Sequence, residues 1–150
     1  MSTIGFDTSN YTTSTAWADG KTDINVRQIL YVKDGERGIR QSDGVFQHMK
    51  LMPVMYEKLS EQIDFKDVKA VGVSTRPRCV EGSYMPVFLA GEGYAKVVAN
   101  TLGVPLYEFS HQDGHIMAGI YSSGSFELLE NDFISVHLSG GTTEILKSRY

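Results

Sequence analysis

The sequence predicts an α/β fold with one mixed sheet flanked by helices, in the order β-β-β-α-β-α-β-α. Three short strands with tight turns open the chain. Segments with apolar residues at helical intervals then alternate with short β-branched strands. A last strand–turn–strand unit at 132–149 resembles the opening strands and is expected to begin a second structural unit.

The opening strands are expected to form an antiparallel meander. STIGFD at 2–7 is a compact apolar strand, and TTSTAWADG at 12–20 ends in Asp19-Gly20, a strong turn signal. DINVRQILYVKDGERG predicts a third strand followed by a turn at Asp34-Gly35.

The remaining elements follow after Val45. Helices are predicted at 48–63, 87–103 and 111–123, with strands between them at 68–74 and 104–110. Pro53 is expected to kink the first helix or to mark its first turn. Gly103 suits the C-cap of the second helix, because glycine readily adopts the left-handed conformation that ends many helices.

The composition is that of an ordinary globular domain. Of the 150 residues, 41% are hydrophobic and 21% are charged, and the formal net charge is −4. This charge disfavours a dedicated nucleic-acid-binding domain. A single cysteine, Cys79, excludes an internal disulfide. With no signal peptide and no apolar run of membrane-spanning length, we expect a cytoplasmic protein with no membrane partner.

Two similar turns are candidates for phosphate binding. FDTSNYTTST (6–15) and LSGGTTEIL (138–146) both join two strands through small polar residues, whose backbone N–H groups can hold phosphate oxygens. The alternative is a pair of ordinary hairpin turns. Asp7 at the first turn suits a magnesium-bound water, or it caps the turn by accepting from the Ser9 amide. The candidate residues are Asp7, Thr8, Ser9, Asn10, Ser139, Gly140, Gly141 and Thr142.

SHQDGHIMAG at 110–119 places His111 and His115 one helical turn apart, where two imidazoles can bind one ion. A structural pair is the alternative, because a held metal needs three or four ligands. His137 is a candidate third ligand, whereas Asp113 lies on another face of a regular helix. His48 is expected to start the first helix and to cap or pack there. HxxxH lacks the glutamate of HExxH, which disfavours a metallopeptidase.

Arg76, Pro77 and Arg78 follow a central strand, where open α/β sheets bind ligands. Two arginines there suit an anionic ligand, and a solvated basic loop is the equal alternative.

Three runs carry a family resemblance: GVFQHMKLMP, STRPRCVEGSYMPVFLAGEGYAKVVANTLGVPLYEFSHQDGHIMAGIY and HLSGGTTEI. They resemble the threonylcarbamoyl-transferase family, formerly called glycoproteases or O-sialoglycoprotein endopeptidases. The resemblance implies a ribonuclease H-like lobe of the actin/Hsp70 type at 1–130 and the opening hairpin of a truncated second lobe at 131–150. It also implies ATP or an adenylate between two lobes, and modification of a tRNA adenosine.

The resemblance assigns roles to individual residues. His111 and His115 match the family's metal-binding histidines, and His137 falls where some members place a tyrosine ligand. The implied cofactors are a zinc or iron ion, ATP or an adenylate, and magnesium. Asp7 matches the acidic residue of the first phosphate loop, and the 139–141 segment matches the second. No catalytic residue is assigned.

Two departures leave the function open. Tyr11 and Thr12 replace the acidic pair that usually follows the first strand, and Arg76-Pro77-Arg78 replaces a Gly-Pro-Gly loop. A divergent transferase, with tRNA as partner, is therefore one hypothesis. The other is a non-catalytic paralogue that regulates the enzyme as a homodimer or as a partner of a related chain. A metallopeptidase, as the older name implies, is the least favoured.

Overall fold

The computed structural model describes residues 1–138 and 143–149. The strands are β1 (Ser2–Asp7), β2 (Thr12–Ala18), β3 (Asp23–Ile29), β4 (Val68–Arg76), β5 (Leu106–Ser110), β6 (Phe133–Leu138) and β7 (Thr143–Ser148). The helices are α1 (Gln41–Ser60), α2 (Phe88–Leu102) and α3 (His111–Ser123), with short 3₁₀ helices at Phe65–Asp67 and Phe126–Glu130. The predicted order is confirmed. The candidate residues Ser139, Gly140, Gly141 and Thr142 lie outside the described part.

The first five strands form one mixed sheet in the order β3-β2-β1-β4-β5. β1, β2 and β3 are antiparallel neighbours, as predicted, while β4 pairs in parallel with both β1 and β5. Because β1, β4 and β5 run in the same direction, their carboxyl ends meet at one edge of the sheet. This edge carries the residues described below.

Helices α1 and α2 bury one face of this sheet. Helix α1 packs on β2 and β3, and α2 packs on β4 and β1. The core between the helices and the sheet comprises Ile4, Phe6, Met52, Leu59, Val68, Val71, Val73, Ala95 and Ala99. Among the described residues, no helix is long and apolar enough to cross a bilayer.

The first helix begins earlier than predicted. It starts at Gln41, whereas the sequence predicted a start at 48. The prediction missed the first turn (QSDG) because that turn is polar and the apolar pattern begins only later. Pro53 therefore lies in the interior of α1 and not in its first turn. Proline has no N–H to donate to the carbonyl four residues before it, which is that of Met49. The Tyr94 hydroxyl of α2 donates to this carbonyl instead, at 2.9 Å.

The helix ends follow local capping rules. Gly103 ends α2 in the left-handed conformation, with φ of 66°, as predicted. Ser110 and Asp113 form a reciprocal capping box at the start of α3. Asp113 thus caps the helix that carries the histidines, in agreement with its exclusion as a metal ligand.

The hairpin β6–β7 forms a separate two-stranded sheet. It packs against α3, where Gln112 donates to Glu144 of β7 at 2.6 Å. The side chain of Arg78, in the loop after β4, pairs with the same carboxylate at 2.9 Å. Glu144 therefore ties the hairpin to the main sheet.

The Tyr94–Met49 bond generates a stability prediction. Tyr94→Phe should lower the free energy of unfolding by about 1 kcal/mol, because the Met49 carbonyl loses its donor. In a Pro53→Ala background the restored helical N–H serves that carbonyl, so the same change should cost clearly less. Urea unfolding of the wild type, the two single variants and the double variant measures the coupling between the two changes. An equal loss of stability from Tyr94→Phe in both backgrounds would contradict this account.

Candidate functional site

The candidate site lies at the edge of the sheet where β1, β4 and β5 end. Asp7 is the last residue of β1, and His111 is the first residue of α3, directly after β5. Asp7 Oδ2 lies 2.9 Å from His111 Nδ1 across 104 residues of sequence. The parallel arrangement of β1, β4 and β5 brings these two side chains together.

Asp7 also caps the β1–β2 turn, residues 8–11. Its Oδ1 accepts from the Ser9 N–H at 2.8 Å, the capping role considered from sequence. Burial alone would raise the pKa of Asp7, but hydrogen bonds and the charge of His111, with Ser74 and Ser9, lower it to about 2. The carboxylate is therefore ionised at neutral pH and holds its two partners in place.

Two further features shape the β1–β2 turn. Asn10 has φ of +42°, the one positive φ at a non-glycine residue in the described part. The Thr8 hydroxyl is buried, donates to the Val87 carbonyl at 2.8 Å and accepts from the Gly91 N–H at 3.0 Å. A Cβ at Gly91 would lie 2.9 Å from that oxygen, so α2 approaches the turn closely only because position 91 is glycine.

The histidine pair predicted from spacing is close in space. The Nε2 atoms of His111 and His115 lie 2.8 Å apart, so one ring donates and the other accepts. Because His111 Nδ1 contacts a carboxylate, Nδ1 carries a proton and donates it to Asp7. Burial, with the neighbouring His111 and His137, lowers the pKa of His115 and favours its neutral form.

His137 of β6 joins the pair as a third ring. Its centroid lies 5.1 Å from that of His115, with the planes 31° apart. Its buried Nδ1 has no hydrogen-bond partner, and the nearest carboxylate, Glu144, is 3.8 Å away. The structure thus brings together all three histidines that were predicted as metal ligands.

These residues fit part of a metal site. A carboxylate behind a histidine is the usual support of a metal-binding imidazole, and Asp7 has this relation to His111. Within residues 1–138 and 143–149, however, no group of three His, Cys, Asp or Glu side chains has an arrangement that could hold a metal ion. To bind one ion together, the two Nε2 atoms must both be free of protons. The pair therefore needs at least one further ligand.

Three side chains take places that the sequence did not indicate. His48 lies inside α1, not at its start, and is fully buried. Arg78 pairs with Glu144, while the Arg76 guanidinium donates to the adjacent Thr75 hydroxyl at 3.2 Å. No sequence signal linked Glu144 to Arg78, because the pairing depends on how the hairpin packs.

Comparison with known proteins identifies the family. The family model of tRNA N6-adenosine threonylcarbamoyltransferase (TsaD) matches residues 35–150. The chain belongs to this family. The resemblance stated from the sequence is therefore confirmed.

Individual relatives and structures agree with this membership. A threonylcarbamoyltransferase of Pyrobaculum calidifontis is 28% identical over 95% of the chain and 40% of its own length. That of Christiangramia forsetii is 33% identical over 65% of the chain and 27% of its own length. The chain thus spans well under half of these relatives. YeaZ from Pseudomonas aeruginosa has a similar fold, with a TM-score of 0.55 at 13% identity over 99% of this chain and 65% of that one.

The Asp7–His111 contact predicts a pH dependence. The folded-state pKa of Asp7 is depressed to about 2 from 3.8, so its contribution is complete above about pH 4 and is lost as the pH falls through about 2. The loss should be on the order of 2 kcal/mol. Asp7→Asn should remove this component from the pH profile of urea unfolding.

The control is Asp23→Asn, which changes an exposed aspartate of β3. A wild-type-like acid profile in the Asp7 variant would contradict the assignment.

Proposed function

We propose that this chain is the first lobe of a threonylcarbamoyl-transferase-like protein that acts in tRNA adenosine modification. In this proposal a nucleotide or adenylate and one zinc or iron ion bind between two lobes. The observation that carries it is a pair of contacts beside the β1–β2 turn: Asp7 is hydrogen-bonded to His111, and His111 is hydrogen-bonded to His115. A carboxylate-supported pair of imidazoles is chemically suited to a divalent metal.

His111 and His115 would hold the metal ion, with His137 as a further candidate ligand. When bound, the ion would supply Lewis-acid polarisation of a carbamoyl or phosphate oxygen. Asp7 orients His111 and fixes which nitrogen carries its proton. Both Asp7 oxygens already accept hydrogen bonds, which favours this supporting role over direct magnesium binding.

The β1–β2 turn would hold phosphate oxygens through its backbone N–H groups. Because the Thr8 hydroxyl is engaged with α2, the backbone is the part of Thr8 that remains for a ligand. Residues 139–142 are the proposed second phosphate segment. The position of His137 beside His115 supports this, since His137 lies two residues before Ser139. We further propose that 1–130 forms one lobe and that 131–150 opens another.

A non-catalytic partner of the true enzyme is the second candidate. Tyr11 and Thr12 stand where the family has its acidic pair. In addition, α1 and α2 line a groove of about 520 Å³ that includes exposed Val54 and Val97. Phe46, Met49 and Leu89 are further exposed apolar side chains of the same two helices. Exposed apolar patches of this kind mark interaction sites, and we propose that a paralogous chain or a second copy covers this one.

The metal proposal is tested by loading the full-length protein with zinc or ferrous ion and measuring bound metal by mass spectrometry. His111→Ala and His115→Ala should each abolish stoichiometric binding. Asp7→Asn should weaken it by about 10–100-fold, because the supporting carboxylate is lost. Ser122→Ala, at an exposed position on the same helix, is the matched control. Equal metal content in the wild type and the histidine variants would end the metal proposal.

Enzyme and partner are distinguished by assaying tRNA threonylcarbamoylation with the full-length protein. Activity with Tyr11 and Thr12 unchanged supports the transferase. Inactivity together with binding to a catalytic paralogue supports the partner role, in which case Val97→Asp should weaken that binding at least tenfold. Tyr107→Asp, an exposed aromatic position on β5, is the control. Inactivity without any such binding contradicts both.

A further inference from the structure

A buried histidine lies behind the β1–β2 turn and takes no part in the metal proposal. His48 is fully buried on the inner face of α1, one turn before the core residue Met52. Its Nδ1 lies 2.8 Å from the Thr13 hydroxyl, which is also fully buried. An apolar side chain at this position would fill the core without any need for a polar partner.

Thr13 and Thr8 anchor the β1–β2 turn from opposite sides. The Thr8 hydroxyl, at the start of the turn, accepts from the Gly91 N–H of α2, and the Thr13 hydroxyl bonds to His48 of α1 just after the turn. The turn backbone between these anchors contains Asn10 in its left-handed conformation. Asparagine tolerates this conformation better than most residues other than glycine, so contacts that hold the neighbouring residues are sufficient to keep it there.

The second ring nitrogen of His48 is the informative atom. Nε2 is buried and has no hydrogen-bond partner. A buried polar atom without a partner costs about 1–3 kcal/mol, which selection removes unless the group is used. Burial lowers the pKa of His48, so the ring is neutral. The Thr13 hydroxyl is the hydrogen-bond partner through which this neutral ring can act on the turn.

We propose that His48 is a positioning residue that holds Thr13, just after the turn, and so preorganises the turn backbone, with Asn10 at positive φ, for nucleotide phosphates. The ring acts through the turn and touches no ligand. The nucleotide part of this inference rests on the proposed function, whereas the effect on the turn does not.

Hydrogen exchange tests the effect on the turn directly. The Thr12 N–H donates to the Ser9 carbonyl across the turn, so its exchange reports on turn opening. His48→Leu should raise Thr12 exchange about tenfold relative to the Ala99 amide in the interior of α2, corresponding to one lost hydrogen bond. Met52→Leu, on the same buried face of α1, is the matched control and should leave this ratio within twofold.

Nucleotide affinity is the second measurement, made by calorimetry on the full-length protein with a non-hydrolysable ATP analogue. His48→Leu and Thr13→Val should each weaken binding about tenfold, and the double variant should be no worse than either, since both remove the same contact. His48→Gln, whose amide both donates and accepts, should restore most of the affinity. Metal content should not change in any of them.

The outcomes separate the two proposals. An unchanged Thr12 exchange ratio in both His48→Leu and Thr13→Val overturns the positioning role. A changed ratio in a wild-type protein that binds no nucleotide supports the positioning of the turn and overturns nucleotide binding. If His48→Gln behaves like His48→Leu, the polar contact is not responsible and the inference fails.

Discussion

The site depends on one contact, the hydrogen bond between Asp7 and His111. It joins the end of the first strand to the start of the third helix, and it determines which nitrogen of His111 carries the proton. Burial would keep Asp7 protonated, but the hydrogen bonds and the charge of His111 outweigh it. The same carboxylate accepts from Ser9, so the β1–β2 turn and the histidine pair share one anchor.

Three imidazoles close together are electrostatically compatible only while most of them are neutral. The lowered pKa of His115 is in agreement with this, since burial and two neighbouring rings all oppose its protonation. A neutral imidazole is also the form that binds a metal ion. The crowding that disfavours positive charge on the rings thus matches the chemistry proposed for them.

The two faces of the layer formed by α1 and α2 have different roles. Inward-facing residues of α1 and α2 make the core, while their outward faces carry the apolar groove proposed as an interface. The histidine cluster lies at a separate edge of the sheet. Glu144 of the hairpin contacts Gln112 and Arg78 at that edge. A partner bound to the outer faces of α1 and α2 would therefore leave the histidine cluster and these contacts undisturbed.

The sequence by itself determined the element order, the meander and the left-handed cap at Gly103, and it excluded Asp113 from the histidine face. Each depends on residues within a few positions of one another, where periodicity and turn chemistry are sufficient. It also placed His111 and His115 together, because helical spacing makes them neighbours. The start of α1 was missed since its first turn carries no apolar pattern.

Only the tertiary structure decided which side chains contact one another across the fold. Asp7 meets His111, Thr13 meets His48, and Glu144 meets Arg78 through contacts between segments far apart in sequence. Tyr94 replaces the donor that Pro53 lacks, although nothing local to either residue indicates it. Such contacts depend on strand order and on the packing of helices against the sheet, and no local pattern in the sequence encodes the distance between two side chains.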